Sequence, residues 1–256
     1  MPVKALKRIF IKAGVIAVWL LLWQFAAKAV GSSFLFPAPA AVFLRLGELL
    51  REKEFYIAAF SSLLRILSGC VLGIAAGTFL GAITAKSKVL YELLSPVLTL
   101  IKSTPVASFI ILLLIWVKRN NIPAVTSFIM VVPILWSNVS SGIIKTDKNL
   151  LEMAQIFRLS AVKRITKIYI PQTLPFFGAG CATAVGFAWK AGIAAEVLAI
   201  PVKAIGTHLY YAKTNLEYTE LFAWTAAVVV LSLIFEKTVV FIIGKASEKR
   251  GNKYGC

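Results

Sequence analysis

Long apolar runs alternate with short polar breaks along this chain. Six runs approach the roughly 20 residues needed to cross a hydrocarbon core about 30 Å thick. They cover about 9–30, 57–84, 95–117, 122–144, 174–200 and 218–244, and predict six membrane-spanning helices. Between the first two, Pro37 and Pro39 favour an extended entry. Val42, Phe43, Leu46, Leu49 and Leu50 then recur at helical spacing. That spacing predicts an amphipathic helix on one membrane surface, either a packed loop helix or one that receives substrate.

Residues 145–175 break the apolar pattern most sharply, with six cations and two carboxylates. Asn149 is placed to cap a short helix over 150–157. Leu150, Met153, Ala154 and Phe157 share its apolar face, and Glu152 lies in the first turn, where a carboxylate suits the helix dipole. The chain turns at Arg158 and Leu159. Ser160 then caps a second helix over 161–168, with Val162, Ile165 and Ile168 or Tyr169 on one side and Lys163, Arg164 and Lys167 on the other. Pro171 is expected to end that helix and Pro175 to open the fifth span. The product is a two-helix knob, and an exposed apolar stripe of this kind marks a protein contact.

Composition agrees with a bilayer setting: 59% of residues are hydrophobic, against about 45–50% in soluble domains. The net charge of +17 reads as topology, because cytoplasmic loops collect Lys and Arg. With the N-terminus inside, sixteen of the 28 Lys and Arg fall in cytoplasmic segments, eight fall outside, and Arg65, Lys102, Lys190 and Lys237 lie in or near spans. Both termini and the knob are therefore expected in the cytoplasm, in a multi-pass protein of the cell membrane. No basic stripe is interleaved with aromatics in a water-facing domain, so nucleic acid is not an expected partner. The first run follows Lys4, Lys7, Arg8 and Lys12. Ala27-Lys28-Ala29 resembles a cleavage site, but the long run from Ala13, with Trp19 and Trp23, favours an uncleaved anchor. The expected division is an anchor plus outer helix (1–56), a core (57–250) and a cytoplasmic tail (251–256).

Other residues are read against bland alternatives. Gly69, Gly73, Gly77 and Gly81 fall along one helix side and admit a close neighbour, either within the chain or at a pore or dimer seam. Lys190 and Glu196 are ionisable groups inside the fifth span, where such groups are costly. They stand about 120° apart around a helix, so each is expected to pair with another span, line a pathway, or snorkel. Glu236 and Lys237 are expected to pair with neighbours or snorkel. His208, the only histidine, is a surface or packing residue in an external loop. Cys70, Cys181 and Cys256 show no metal or disulfide spacing. The chain has no GxxxxGK[ST] loop, and no residue set marks it as catalytic or metal-binding.

The pattern Glu152-x-Ala154, position 158, then Ile168-x-Ile170-Pro171 resembles the E-A-A-x-x-x-G-x(9)-I-x-L-P loop of binding-protein-dependent ABC importer permeases. Further likenesses follow the order of the nitrate/sulfonate/taurine-type branch. They are Phe36-Pro37-Ala38-Pro39, Ser62-Leu63-x-Arg65-x-x-x-Gly69, Leu112–Trp116, Ala188-Trp189 and Ala195-Glu196. Two positions depart: Met153 stands for an Ala, and Arg158 for the turn Gly. The resemblance implies an all-α integral membrane fold with a cytoplasmic coupling loop between the fourth and fifth spans. In that loop Glu152, Met153, Ala154, Arg158, Leu159, Ser160, Ile168 and Pro171 would meet an ATPase subunit. It also implies an external solute-binding protein, a second permease copy, surrounding lipid, and ATP with Mg bound by the partner rather than by this chain. The cargo would be a small solute such as a sulfonate, nitrate, taurine or a vitamin precursor. The alternative is an ion-coupled carrier, which would need carboxylate relays, and only Glu196 and Glu236 are central candidates.

Overall fold

The structure, a computed structural model, describes residues 2–32 and 34–251. Every element among them is helical: α1 (Pro2–Val30), α2 (Pro39–Leu49), α3 (Lys53–Thr84), α4 (Lys88–Ser103), α5 (Val106–Trp116), a 3-10 turn (Arg119–Asn121), α6 (Ile122–Ile144), α7 (Lys148–Ile156), α8 (Ala161–Arg164), a π-turn (Ile165–Tyr169), α9 (Ile170–Ala199), α10 (Ile205–Thr214) and α11 (Tyr218–Gly251). Of the expected tail 251–256, only Gly251 falls within the described residues, where it ends α11.

The glycines of α3 decide how the core is built. A β-carbon added at Gly69 would sit 2.0 Å from the Ala124 carbonyl oxygen. At Gly77 it would lie 2.6 Å from the Val132 oxygen, and at Gly81 2.9 Å from that of Trp136. At Gly73 it would meet the Val131 side chain at 2.8 Å. Backbone therefore packs on backbone along four turns, and the glycines serve packing within the chain. Rising numbers face rising numbers, so α3 and α6 run parallel. α9 runs against both: Gly142 of α6 abuts Thr173 and Phe176, Gly180 abuts Asn138, and Gly192 abuts Ile66 and Ser127. α11 runs with α3, since Phe55 stacks on Trp224 at 5.2 Å and Trp189 meets Phe235 at 5.6 Å.

The third expected span is not one straight helix. α4 and α5 meet at a bend of 104°. Pro105 disfavours helical geometry at its predecessor, and Thr104 is extended, with ψ 132°. The pair still crosses once, because α3 and α6 are parallel and the chain between them must return to the starting side. Five further helices are long and apolar enough to cross a membrane, giving six crossings.

Two faces result. On one lie the end of α3, the segment 145–164 and the end of α11. On the other lie α2, the start of α3, the 3-10 turn, α10 and the start of α11. Of the apolar face expected for α2, Val42 and Leu49 are buried and Leu46 half-buried, whereas Phe43 and Leu50 are exposed, as is Leu44. Arg45 of α2 forms an ion pair with Glu220 of α11 and reaches Glu48 at 3.0 Å and Glu52 at 3.2 Å. Trp23 of α1 donates to the Pro37 carbonyl at 3.2 Å.

Candidate functional site

Segment 145–171 forms a knob, with local causes that differ in part from the expected ones. Asp147, not Asn149, caps α7: its Oδ1 accepts from the Asn149 N–H at 2.8 Å. The C-terminal end closes with two bonds, Leu159 N–H to the Ala154 oxygen at 2.9 Å and Arg158 N–H to the Gln155 oxygen at 3.0 Å. This is a Schellman closure, whose turn residue favours glycine. Arg158 occupies that position in the left-handed region, with φ 47°. The turn survives the Gly-to-Arg departure at the strain an L-residue carries there, roughly 1–2 kcal/mol. Ser160 caps α8 as expected, its Oγ accepting from the Lys163 N–H at 3.4 Å.

The apolar face of the knob divides. Ala154 is fully buried and Ile168 nearly so, whereas Met153, Ile156, Phe157, Val162 and Ile165 are exposed. Ile156 and Phe157 show 79% and 71% of their surface. Glu152 and Arg158 are exposed beside them, and Leu159 is half-buried. The outward surface is therefore a compact apolar patch edged by charge, anchored from below by Ala154.

Pro171 does not end the second helix. Residues 161–199 form one helical stretch, with Pro171 and Pro175 inside it. Proline lacks the N–H that an α-turn uses and crowds the carbonyl four residues back. The chain answers with the π-turn, in which the Ile170 N–H reaches the Ile165 oxygen. Its consequence is mechanical. The knob joins the fifth span without a flexible loop, as a rod of 39 residues, about 58 Å long at 1.5 Å per residue.

At the far end of that rod lies a cluster that sequence reasoning divided between two motifs. Glu196 is fully buried. Its Oε2 accepts from Ser62 Oγ at 2.8 Å and from the Gly206 N–H at 3.1 Å. Ser62 Oγ accepts from the Ile205 N–H at 3.0 Å. Arg65 stands 3.8 Å from Glu196 Oε1 and donates to the Val202 carbonyl at 2.7 Å. The Val202 N–H donates to Asn120 at 3.1 Å. A β-carbon at Gly206 would fall 2.3 Å from that of Glu196, so only glycine lets α10 close over the carboxylate. Ser62-Leu63-x-Arg65 and Ala195-Glu196 thus form one latch holding α3, α9 and α10. The spacing of each motif alone carried no sign of the other.

Lys190 and Glu196 do not meet. Glu196 pairs with another span, while Lys190 is exposed and forms no ion pair among the described residues. His208 lies on α10 rather than in a loop, stacked on Trp224 at 4.5 Å and 13°. Burial pushes its imidazole below the ordinary pKa against the opposing pull of Glu54, Glu220 and Glu52. The Glu220 carboxylate, with Glu48 and Glu52 adding to it, raises Arg45 further above its already high value.

Comparison with known proteins places this geometry. Residues 73–253 match the family described as binding-protein-dependent transport system inner membrane component. The chain is 23% identical over 239 residues to a nitrate import permease of Synechocystis, covering 89% of this chain and 85% of that one. It is 25% identical over 198 residues to a putative aliphatic sulfonates transport permease of Bacillus subtilis, covering 75% and 69%. A bacterial alginate ABC transporter chain shares the fold with a TM-score of 0.63 at 15% identity, covering 96% of this chain and 98% of that one. The methionine ABC transporter MetNI does so at 0.55 and 13%, covering 78% and 95%. The chain therefore belongs to the binding-protein-dependent transport system inner membrane component family, and it is a multi-pass permease of the ABC importer kind.

Proposed function

We propose that this chain is the membrane half of an ATP-driven importer whose nucleotide chemistry resides in a separate subunit. The single observation that carries the reading is the exposed apolar patch of Met153, Ile156, Phe157 and Val162 on the knob, whose second helix runs on without a break into a 39-residue helical stretch. Such a patch suits a groove on an ATPase, with Glu152 and Arg158 reading its charged rim. Two ATPase subunits closing on ATP push the knobs of two permease copies, and α9 carries the displacement across the membrane. Each ligand then biases a two-state assembly, which is all that coupling requires. The sixteen-to-eight charge bias supports a cytoplasmic position for the knob face and both termini. An external binding protein delivers cargo to the face that carries α2 and α10. The named nitrate, bicarbonate and sulfonate relatives point to a small oxyanion as cargo.

The test is copurification of the ATPase subunit from detergent extracts. Ile156→Asp with Phe157→Asp leaves the buried Ala154 untouched, so the span fold stays. We expect the double variant to insert normally and to lose the ATPase. Full retention overturns the docking role.

A further inference from the structure

Lys190 remains unexplained by packing. It lies nine residues before the end of α9, about 14 Å down the helix, near the middle of a hydrocarbon core about 30 Å thick. It is exposed on the chain, in line with exposed Thr183, Phe187 and Ala194. A cation at that depth does not face lipid without great cost, and such residues mark pathways or partners. A second charge emerges beside it. Glu236 of α11 is exposed, and its Oε2 lies 3.9 Å from where a β-carbon of Gly186 would stand. Gly186 and Lys190 are one turn apart on the same side of α9, about 40° around and 6 Å along the axis. Glu236 thus sits beside the turn of α9 that precedes Lys190, and the two form no ion pair within 4 Å among the described residues.

Resting on the permease reading, we infer that Lys190 and Glu236 are the charged pair of the translocation face, Lys190 attracting the anionic cargo and Glu236 acting as its resident counter-charge. An arriving anion displaces the carboxylate from the field of the ammonium, and the carboxylate recovers that field once the cargo leaves. The site thereby holds an anion transiently, since a permanent cation alone would trap it. A second copy would present the same pair across the pathway. Specificity at this point is for sign of charge rather than for shape, because a single ammonium is a point charge with rotatable donors.

The test needs no knowledge of the cargo. In full-length chain with Cys70, Cys181 and Cys256 replaced by Ala, single cysteines are placed at Thr183 and Ala194, which flank Lys190. Each is reacted in membranes with a sulfonate-bearing and with a trimethylammonium-bearing methanethiosulfonate. We expect the anionic reagent to react faster by about threefold or more, the scale of one nearby unit charge in wet surroundings. Lys190→Gln should abolish that preference, Glu236→Gln should enlarge it, and 1 M salt should shrink it. Failure of both reagents to react shows a sealed or lipid-facing stripe and overturns the inference, as does a preference unchanged by Lys190→Gln. Either result with the ATPase still copurifying leaves the permease reading standing.

Discussion

At the scale of single residues, Arg158 and Gly206 show opposite solutions to one backbone problem. Arg158 holds a left-handed turn without being glycine, so Arg158→Gly should relieve strain. We expect the loop 155–160 to gain about 1 kcal/mol, read as slower amide exchange across that turn. Gly206 has no such freedom: its place against Glu196 is set by a 2.3 Å approach, and Gly206→Ala should spring the latch. Glu196→Ala would leave the Ser62 hydroxyl and the Gly206 N–H without their acceptor and Arg65 without its counter-charge. Breaking a buried pair from one side costs about 3–5 kcal/mol, and a lowered unfolding temperature in detergent checks this. His208 supplies a pH dependence. Its pKa is depressed on folding, so the folded state binds fewer protons and stability rises with pH. The contribution is complete above the unfolded value near 6.5 and is lost as pH falls below it. His208→Phe, which keeps the stack on Trp224, should flatten the fall in melting temperature between pH 7 and pH 5.

At the scale of elements, the tight seam is α3 against α6. Gly77→Ala places a methyl 2.6 Å from a backbone oxygen, which cannot swing aside, so the helices must part. Overpacking of this kind costs about 1–3 kcal/mol, and we expect less folded protein in membranes. Gly14→Ala, with open space around it, should leave the yield unchanged. The helices themselves were legible because apolar length is a direct physical requirement of the bilayer; the fourth span, expected over 122–144, is α6 residue for residue. The knob was legible from its polar break and its Ser160 cap. Its continuity with α9 was not, because Pro171 and Pro175 read locally as stops, and the π-turn over Ile165–Tyr169 that precedes Pro171 leaves no signal in the residue pattern. The break at Thr104 was likewise hidden inside a run read as one span, although Pro105 and the polar Lys102-Ser103-Thr104 stand at it.

At the scale of the whole molecule, three facts combine into a machine. The parallel α3 and α6 force the broken pair α4–α5 to cross, so the knob and the end of α11 share a face. The rod through α9 joins that face to the latch at Glu196. The exposed stripe of α9, with Lys190 at its middle, lies along the same rod. The second helix of the knob is therefore continuous with the span that carries both Lys190 and Glu196. Of the two carboxylates that an ion-coupled carrier could titrate, Glu196 is instead tied to Ser62 and Gly206 at 2.8 and 3.1 Å, a holding role.

The most direct measurement places a photo-crosslinking residue at Ile156 of the full-length chain in native membranes. The account expects a single adduct with an ATP-hydrolysing subunit, lost when Phe157 is replaced by Asp. Modification of a cysteine at the same position by an impermeant reagent applied to intact cells would contradict it, because force from nucleotide hydrolysis could then not enter through this knob.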